Sequence, residues 1–469
     1  MGMVWGRRLD PDNIARLVDD ALATIAEFGE PGSDARELID GPLADPETRT
    51  DFASRALRRT ARRLAVQTPF YSRLFQAAGI DLAKLDVDGM RAVPVTTKRE
   101  LTEQQAEFQC KDAKPQLATR TTGTTGRPAE IWISRHELGV WSGLSALTGV
   151  LRDEIHPDDV YHVHVSSRAT IAIQLNSAIC RMVGARCRVL GVIPPDQAVQ
   201  LLAEGRATLM SANASYLGEL VTAARHRGLG PSDFALKRVD IGGEMLSASL
   251  KKAAVDTFGA RINDVFSMTE IAPVSASTCS QGHLHFDINM GLVELLDLQT
   301  GEPARPGALS TVVVTPYFPY RECMPVFRYD TRDVVQQLDD APLSCEIAGL
   351  PATSAVMGKA DQILRLGPGE AITPRALLEA VEALPSEPWP ARYLASVDNG
   401  RLRLALPQSA IAGLSGSEAR FHFRERGLDV DLMIVDDEQA RSLRPLRSDL
   451  HETTFLARPA MIGDLHAAR

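Results

Sequence analysis

Near the start of the chain, apolar side chains recur at helical spacing: Ile14, Leu17, Ala21, Leu22 and Ile25 share one face, after Asp10 and Pro11 and before Gly29. An N-cap residue, a proline at the first helical position and a terminal glycine punctuate a helix, so one is predicted here. Residues 51–64 repeat the period with Arg55, Arg58, Arg59, Arg62 and Arg63 on the polar side, which reads as a solvated face. From about residue 130 the period changes. Short β-branched runs at 131–133, 161–165, 188–192, 239–241, 262–266 and 311–315 alternate with helical stretches at 196–204 and 214–226. That alternation predicts α/β layers with largely parallel sheets. After Gly358 the texture is α+β: a helix from Pro374, strands at 393–397 and 401–406 joined through Asp398, Asn399 and Gly400, a helix at 417–426 and a strand at 430–435. The expected fold is α/β, with a large N-terminal domain of layered α/β sheets over 1–360 and a small mobile C-terminal α+β domain over 361–469.

Composition narrows the class. With 469 residues, 44% hydrophobic and 24% charged, the chain suits two or three folding units of ordinary soluble type. A formal charge of −9 argues against a broadly basic nucleic-acid or anionic-membrane surface. Eight of the 51 cationic residues are lysines and none follows Lys359. Six widely spaced cysteines favour reduced thiols or a metal site over a disulfide framework. No run of eighteen apolar residues occurs, and the start lacks an apolar core followed by a small-residue cleavage site; the expectation is a cytoplasmic protein with no membrane span and no nucleic-acid partner.

The chemistry concentrates in a few segments. Thr121, Thr122, Gly123, Thr124, Thr125 and Gly126 precede Arg127-Pro128 and a strand. Glycines that admit close approach, hydroxyls and backbone N–H donors suit a polyphosphate, although the spacing is not that of a Walker loop. A surface turn of the same composition is the alternative. Gly242, Gly243 and Glu244 close one predicted strand, and Phe266, Ser267, Thr269 and Glu270 close another. Ligands of open α/β sheets sit beyond the carboxyl ends of strands, where an aromatic can stack on a base and Glu270 can hold Mg²⁺. Asp333, in Tyr329-Asp330-Thr331-Arg332-Asp333, is a partner for ribose hydroxyls. Cys279, His283, His285 and Cys323 are the expected zinc ligands, with Cys345 or a carboxylate also open to the fourth position.

In this order the segments resemble the adenylate-forming superfamily of acyl-CoA ligases and adenylation domains. The Thr/Gly loop is similar to its phosphate loop, 266–270 to its aromatic-G-x-T/S-E element, 329–333 to its Y-R-T-x-D element, and Gly358-Lys359-Ala360-Asp361 to its G-R-x-D hinge. Thr68-Pro69-Phe70-Tyr71 and Val93-Pro94-Val95-Thr96-Thr97-Lys98 look like the phenylacetate-CoA ligase branch, some members of which carry a structural zinc. The resemblance implies ATP- and Mg²⁺-dependent activation of a small, aromatic carboxylic acid as acyl-AMP, then transfer to a thiol such as CoA. An amide ligase, an activator of an unusual acid or a nucleotide-binding protein without catalysis are the alternatives, and a homodimer is the expected assembly. It assigns the phosphates to 121–126, the adenine to Gly242, Gly243, Glu244 and Phe266, the α-phosphate to Thr269, Mg²⁺ to Glu270, the ribose to Asp333 and the hinge to Asp361, beside Lys359. Two departures stand out. Ser267 occupies a glycine position, and the C-terminal lysine of the family is absent, leaving Arg444 and Arg447 as substitutes of different shape. Ser166 and Arg168, in the stretch expected to line the acid pocket, suggest a polar or second-carboxylate substrate, a solvated loop being the alternative.

Overall fold

The computed structural model describes residues 10–28, 45–120, 129–338, 344–345, 347 and 349–437. The expected phosphate loop, from Thr121 to Gly126, and Arg444 and Arg447 lie outside the described residues. The chain divides into two compact units: one takes residues 1–163, 167–189 and 265–355, the other 164–166, 190–264 and 356 onward.

In the first unit the opening helix runs Pro11–Phe28. It buries Ile14 and Val18 and leaves Leu17 exposed, so its packed face turns one position from the one the sequence suggested. The cause is a close approach: a Cβ at Gly143 of the helix Arg135–Leu151 would fall 2.6 Å from Ile14 Cγ2, so only glycine lets Ile14 seat there. The helix Pro46–Gln67 is capped by Asp45, whose carboxylate accepts from the Thr48 N–H at 2.7 Å, and buries Phe52, Leu57, Ala61 and Leu64. Its arginines are only partly a solvated face. Arg58 donates to the Leu85 carbonyl at 3.1 Å, and Arg63 forks onto Asp112 at 2.7 and 2.6 Å while lying over the Phe318 ring. In the next helix, Pro69–Ala77, Phe70, Tyr71 and Phe75 are buried and meet Phe108 and Phe327.

The expectation of largely parallel sheets holds for only part of the structure. Residues 160–163 pair in parallel with Arg186–Val189, and in the second unit Leu209–Ala212 pairs in parallel with residues 238–241. Between residues 265 and 336, however, the ladders are antiparallel: 265–267 with 275–277, Ser275–Thr278 with Leu284–Phe286, and Gly291–Asp297, Leu309–Pro316 and Tyr329–Gln336 in succession. The first two connections there, residues 268–274 and 279–283, are too short for a crossover, which needs about a dozen residues or more. The result is still mixed α/β with layered sheets and helices, as expected. Among the described residues no helix is long and apolar enough to cross a membrane.

The second unit packs Met210, Leu217, Leu220, Val239, Leu250 and Phe258 into one apolar core and Leu377, Val381, Leu402, Leu404 and Phe423 into another. The predicted hairpin is present: Leu394–Asp398 pairs with Arg401–Pro407 across Asn399 and Gly400, both at positive φ. Val430–Val435 adds in parallel, and the helix Gly416–Arg424 starts with a capping box between Ser415 and Glu418. The helix Pro374–Glu382 grips the start of the helix Ala248–Phe258. Glu379 accepts from the Ala248 N–H at 2.9 Å, Arg375 donates to the Leu246 carbonyl at 3.0 Å, and Ser247 Oγ donates to buried Glu382.

Burial pushes the Glu382 carboxyl up to about 7; the bonds from Ser247 and the Ala391 N–H oppose that rise, and the charges of Glu379 and Glu244 add to it. A raised carboxyl stabilises the fold fully below its unfolded value, near 4.5, and loses that contribution as pH rises through about 7. The shift corresponds to roughly 3 kcal/mol across that window. Glu382→Gln is therefore expected to flatten the stability profile, unfolding at higher urea than the parent at pH 8 with little difference at pH 5. Parallel profiles for the two proteins would refute this.

Candidate active site

Three sequence elements meet at Thr96. Its N–H donates to the Arg328 carbonyl at 2.8 Å and its carbonyl accepts from the Asp330 N–H at 2.9 Å, forming a parallel bridge to Tyr329. Its hydroxyl donates to the Phe327 carbonyl at 2.7 Å. The Tyr71 hydroxyl lies 3.1 Å from Thr96 Oγ1 and accepts the Phe327 N–H at 2.7 Å. The segment around Phe70-Tyr71, the segment ending in Lys98 and the strand Tyr329–Gln336 are thus one hydrogen-bonded unit. Arg328, in left-handed backbone at φ 50, is held by a bond from its N–H to Thr315 Oγ1 at 2.9 Å, by Glu294 at 3.2 Å and by the Val93 carbonyl.

Thr97 and Glu100 form a capping box that starts the short helix Lys98–Glu103. Lys98 is its first residue, and its Nζ lies 3.5 Å from Glu270 Oε1, with side chains only 18% and 3% exposed. The Tyr329 hydroxyl donates to the same oxygen at 3.5 Å. Burial raises the Tyr329 phenol, and the charges of Glu270, Asp330 and Asp333 raise it further, so it is neutral and a donor. Asp333 is buried on the same strand, its N–H bonded to Thr331 Oγ1 at 3.1 Å. Thr269 is half-buried beside Glu270; Ser267, ending Arg261–Ser267, is exposed, and the Phe266 ring meets Phe286 edge-on at 5.8 Å. Sequence reasoning placed Lys98 in an entrance motif and missed its pairing with Glu270, a contact between distant segments that no local pattern marks.

In the second unit Glu244 Oε2 accepts from the Ser215 N–H at 2.8 Å and from its hydroxyl at 2.6 Å, at the start of the helix Ala214–His226. Gly242 ends the strand Arg238–Gly242, and Gly243 follows at positive φ. Ser166 is half-buried in this unit, whereas Arg168 is exposed in the other. Lys359 and Asp361 flank Ala360, just after Gly358. At φ 120, a Cβ on Gly358 would lie 2.4 Å from the Pro374 ring, so glycine is required where the expected hinge begins.

A second cluster forms around the turn between Ser275–Thr278 and Leu284–Phe286. The ligand atoms of Cys279, His283, His285 and Cys345 all lie within 4.8 Å of one another. Cys345 Sγ is 3.3 Å from His285 Nε2, and His285 Nδ1 is 3.1 Å from the Leu350 carbonyl. A donor bond from Nδ1 leaves Nε2 as the basic nitrogen, the tautomer a metal takes. Tetrahedral bonds of about 2.0–2.3 Å place ligands within about 4 Å of each other, so the set could hold a metal ion. Cys323 does not join it, contrary to the expected ligand set. Its N–H donates to Glu137 Oε1 at 3.0 Å, its carbonyl accepts from Cys110 at 2.9 Å, and burial pushes its thiol up to about 12. Cys345 takes its place because Ala352–Thr353, a few residues later, pairs with residues 284–285 and carries that stretch of chain to the histidines.

Residues 85–309 match the family described as AMP-binding enzyme. No curated protein sequence matches the chain. Among solved structures, 2-hydroxyisobutyryl-CoA ligase in the postadenylation state superposes with a TM-score of 0.76 at 20% identity, over 94% of this chain and 96% of that one. The anthranilate CoA ligase AuaEII in complex with anthranoyl-AMP gives 0.54 at 14% identity, over 75% and 67%. ATP-bound MatB from Rhodopseudomonas palustris gives 0.51 at 14%, over 68% and 64%. At these identities the likeness is one of fold.

The bonds at Thr96 generate a direct test. Tyr71→Phe keeps the ring volume but leaves the buried Phe327 N–H without its acceptor, a loss of about 1–3 kcal/mol. The urea midpoint is expected to fall accordingly; an unchanged midpoint would show that the hydroxyl does not hold the strand.

Proposed function

We propose that the chain, whose residues 85–309 match the AMP-binding enzyme family, is an adenylate-forming enzyme that activates a small carboxylic acid with ATP and passes the acyl group to CoA. In the first step a carboxylate oxygen bonds to the α-phosphorus, and the bond to the bridging oxygen breaks, its electron pair leaving with pyrophosphate. In the second the CoA sulfur bonds to the acyl carbon, AMP departs with the electron pair of the acyl–phosphate bond, and the thiol proton passes to solvent. The observation that carries this reading is Glu270, buried beside Lys98 and Tyr329 on the strand that leads to Asp333. One anion must attack another, so the site's work is positioning and charge stabilisation.

The residues divide the task as follows. Asp333 accepts ribose hydroxyls, Thr269 meets the α-phosphate, and Thr121, Thr122, Gly123, Thr124, Thr125 and Gly126 take the outer phosphates. Gly242, Gly243, Glu244 and Phe266 serve the adenine, and Asp361, beside Lys359, is the hinge. Among the described residues, Lys98 and Tyr329 both meet Glu270 at Oε1, and its Oε2 would hold Mg²⁺, which offsets phosphate charge when bound. Structures sharing this fold carry fitting ligands: MatB was crystallised with ATP, and 2-hydroxyisobutyryl-CoA ligase with 2-HIB-AMP and CoA. The Phe70-Tyr71 and Thr96-Thr97-Lys98 segments favour an aryl acid, as in the phenylacetate-CoA ligase branch. Cys279, His283, His285 and Cys345 would bind zinc with four protein ligands, a closed set that fits a structural ion.

Exchange of labelled pyrophosphate into ATP, measured over aryl acids and short hydroxy acids, is expected to depend on one group of them, with acyl-AMP and then a CoA thioester found by mass spectrometry. Products only with amines would make the chain an amide ligase. ATP binding without exchange for any acid would leave a nucleotide-binding protein. Protein purified without chelators is expected to contain about one zinc per chain, lost in Cys345→Ser and kept in Cys323→Ser. Zinc far below one equivalent in the parent would remove that site.

A further inference from the structure

Two cysteines of the first unit, neither of them in the clusters described above, meet between a helix and a strand. The helix Thr170–Val183 ends at Gly184, in left-handed backbone at φ 86, and the chain turns back at once into the strand Arg186–Val189. The Arg186 N–H donates to the Asp159 carbonyl at 2.9 Å and Cys187 pairs with Tyr161, so the strand is fixed in place. Ser177 and Cys180 are three residues apart on one helix face, and both reach Cys187. Ser177 Oγ lies 3.9 Å from Cys187 Sγ, and the Cys180 and Cys187 thiols are hydrogen-bonded to each other.

The two sulfurs differ in surroundings. Cys180 is buried in the last turn of its helix, where the carbonyl end of the dipole disfavours an anion. Cys187 is half-buried on the edge strand of its sheet, beside exposed Arg186, Arg188 and Val189. The shared hydrogen bond, with burial adding to it, raises the Cys180 thiol and keeps its proton in place. Bonds from Cys180 and Ser177 hold the Cys187 thiol below its ordinary range, against the opposing effect of burial. Cys110 and Cys323, by contrast, are buried thiols that burial pushes up to about 12.

We infer that Cys180 and Cys187 are a reversible dithiol pair oxidised by hydrogen peroxide, with Cys187 the attacking sulfur and Cys180 the resolving one. The Cys187 sulfur bonds to one peroxide oxygen as the O–O bond breaks, giving a sulfenic acid and a hydroxide that takes a proton from solvent. The Cys180 sulfur then bonds to the Cys187 sulfur, the S–O bond breaks, and the hydroxide leaves as water with the Cys180 proton. The two thiols have together lost two electrons and the peroxide has become two waters. A small dithiol reverses the step by exchange. The disulfide ties the end of the helix to the sheet edge, and it does not depend on the adenylation reading above.

Trypsin separates the two cysteines into peptides 169–181 and 187–188. Reduced full-length protein is treated with hydrogen peroxide, quenched in acid, alkylated in denaturant, digested and weighed by mass spectrometry. The two peptides are expected to be joined, lighter than their sum by the two thiol hydrogens, and to separate after dithiothreitol. With dimedone present, Cys180→Ser should collect the sulfenic-acid adduct at Cys187 about tenfold or more faster than at Cys110 or Cys323, and Cys187→Ser should leave Cys180 reduced. Parent peptides that stay unlinked and fully alkylated would overturn the proposal. So would Cys187 joined mainly to another cysteine, a sulfinic acid at Cys187 without the link, or a dimedone adduct on Cys180 in Cys187→Ser.

Discussion

The hydrogen-bonded knot at Thr96 is the constraint on which the first unit's chemistry depends. A threonine in extended backbone uses its N–H, carbonyl and hydroxyl together on residues 327–330, and Tyr71 closes the arrangement through a single hydroxyl. Tyr71, Thr96, Phe327 and Arg328 are all buried, so the bonds among them remove a desolvation cost as well as adding a contact. The consequence is positional. Tyr329, Asp333 and Lys98 are all counted off from this point, and Glu270 is met by two of them.

A second anchor holds the chain just upstream. Glu137 Oε1 accepts the N–H groups of Glu322 and Cys323 at 2.8 and 3.0 Å, and Arg321 lies 3.7 Å from the same oxygen. Arg321 also donates to the Met324 carbonyl and covers the Trp141 ring, whose indole N–H reaches the Tyr320 carbonyl at 2.7 Å. Buried ion pairs seldom add much net stability, but removing one partner strands the other charge, so such a pair specifies geometry. Here it sets the approach of residues 320–324 to the strand that begins at Tyr329.

The order of chemical segments was legible in the sequence because each is a local pattern: a strand end with glycines and a carboxylate, an aromatic followed by hydroxyl and acid, a glycine before a turn. The helix punctuation at Asp10 and Pro11 and the hairpin at Asn399 and Gly400 were legible for the same reason. Other features depend on partners remote in sequence. Val18 replaces Leu17 on the packed face because Gly143 admits Ile14, and Cys345 replaces Cys323 at the histidines because a short strand pairing delivers it. The antiparallel ladders after residue 265 were missed because apolar runs reveal a strand but not its direction.

The preference for arginine takes on physical meaning here. Arg58, Arg63, Arg321 and Arg328 all reach back onto carbonyls, carboxylates or rings, work that suits a planar fork able to satisfy several acceptors at once. Lysine is used differently. Lys84 and Lys252 stand with side chains 85% and 77% exposed, where charge serves the surface. Lys98, at 18%, stands mostly withdrawn from water, its ammonium 3.5 Å from the buried Glu270 carboxylate. There the compact charge of a lysine serves an interior carboxylate instead of the surface.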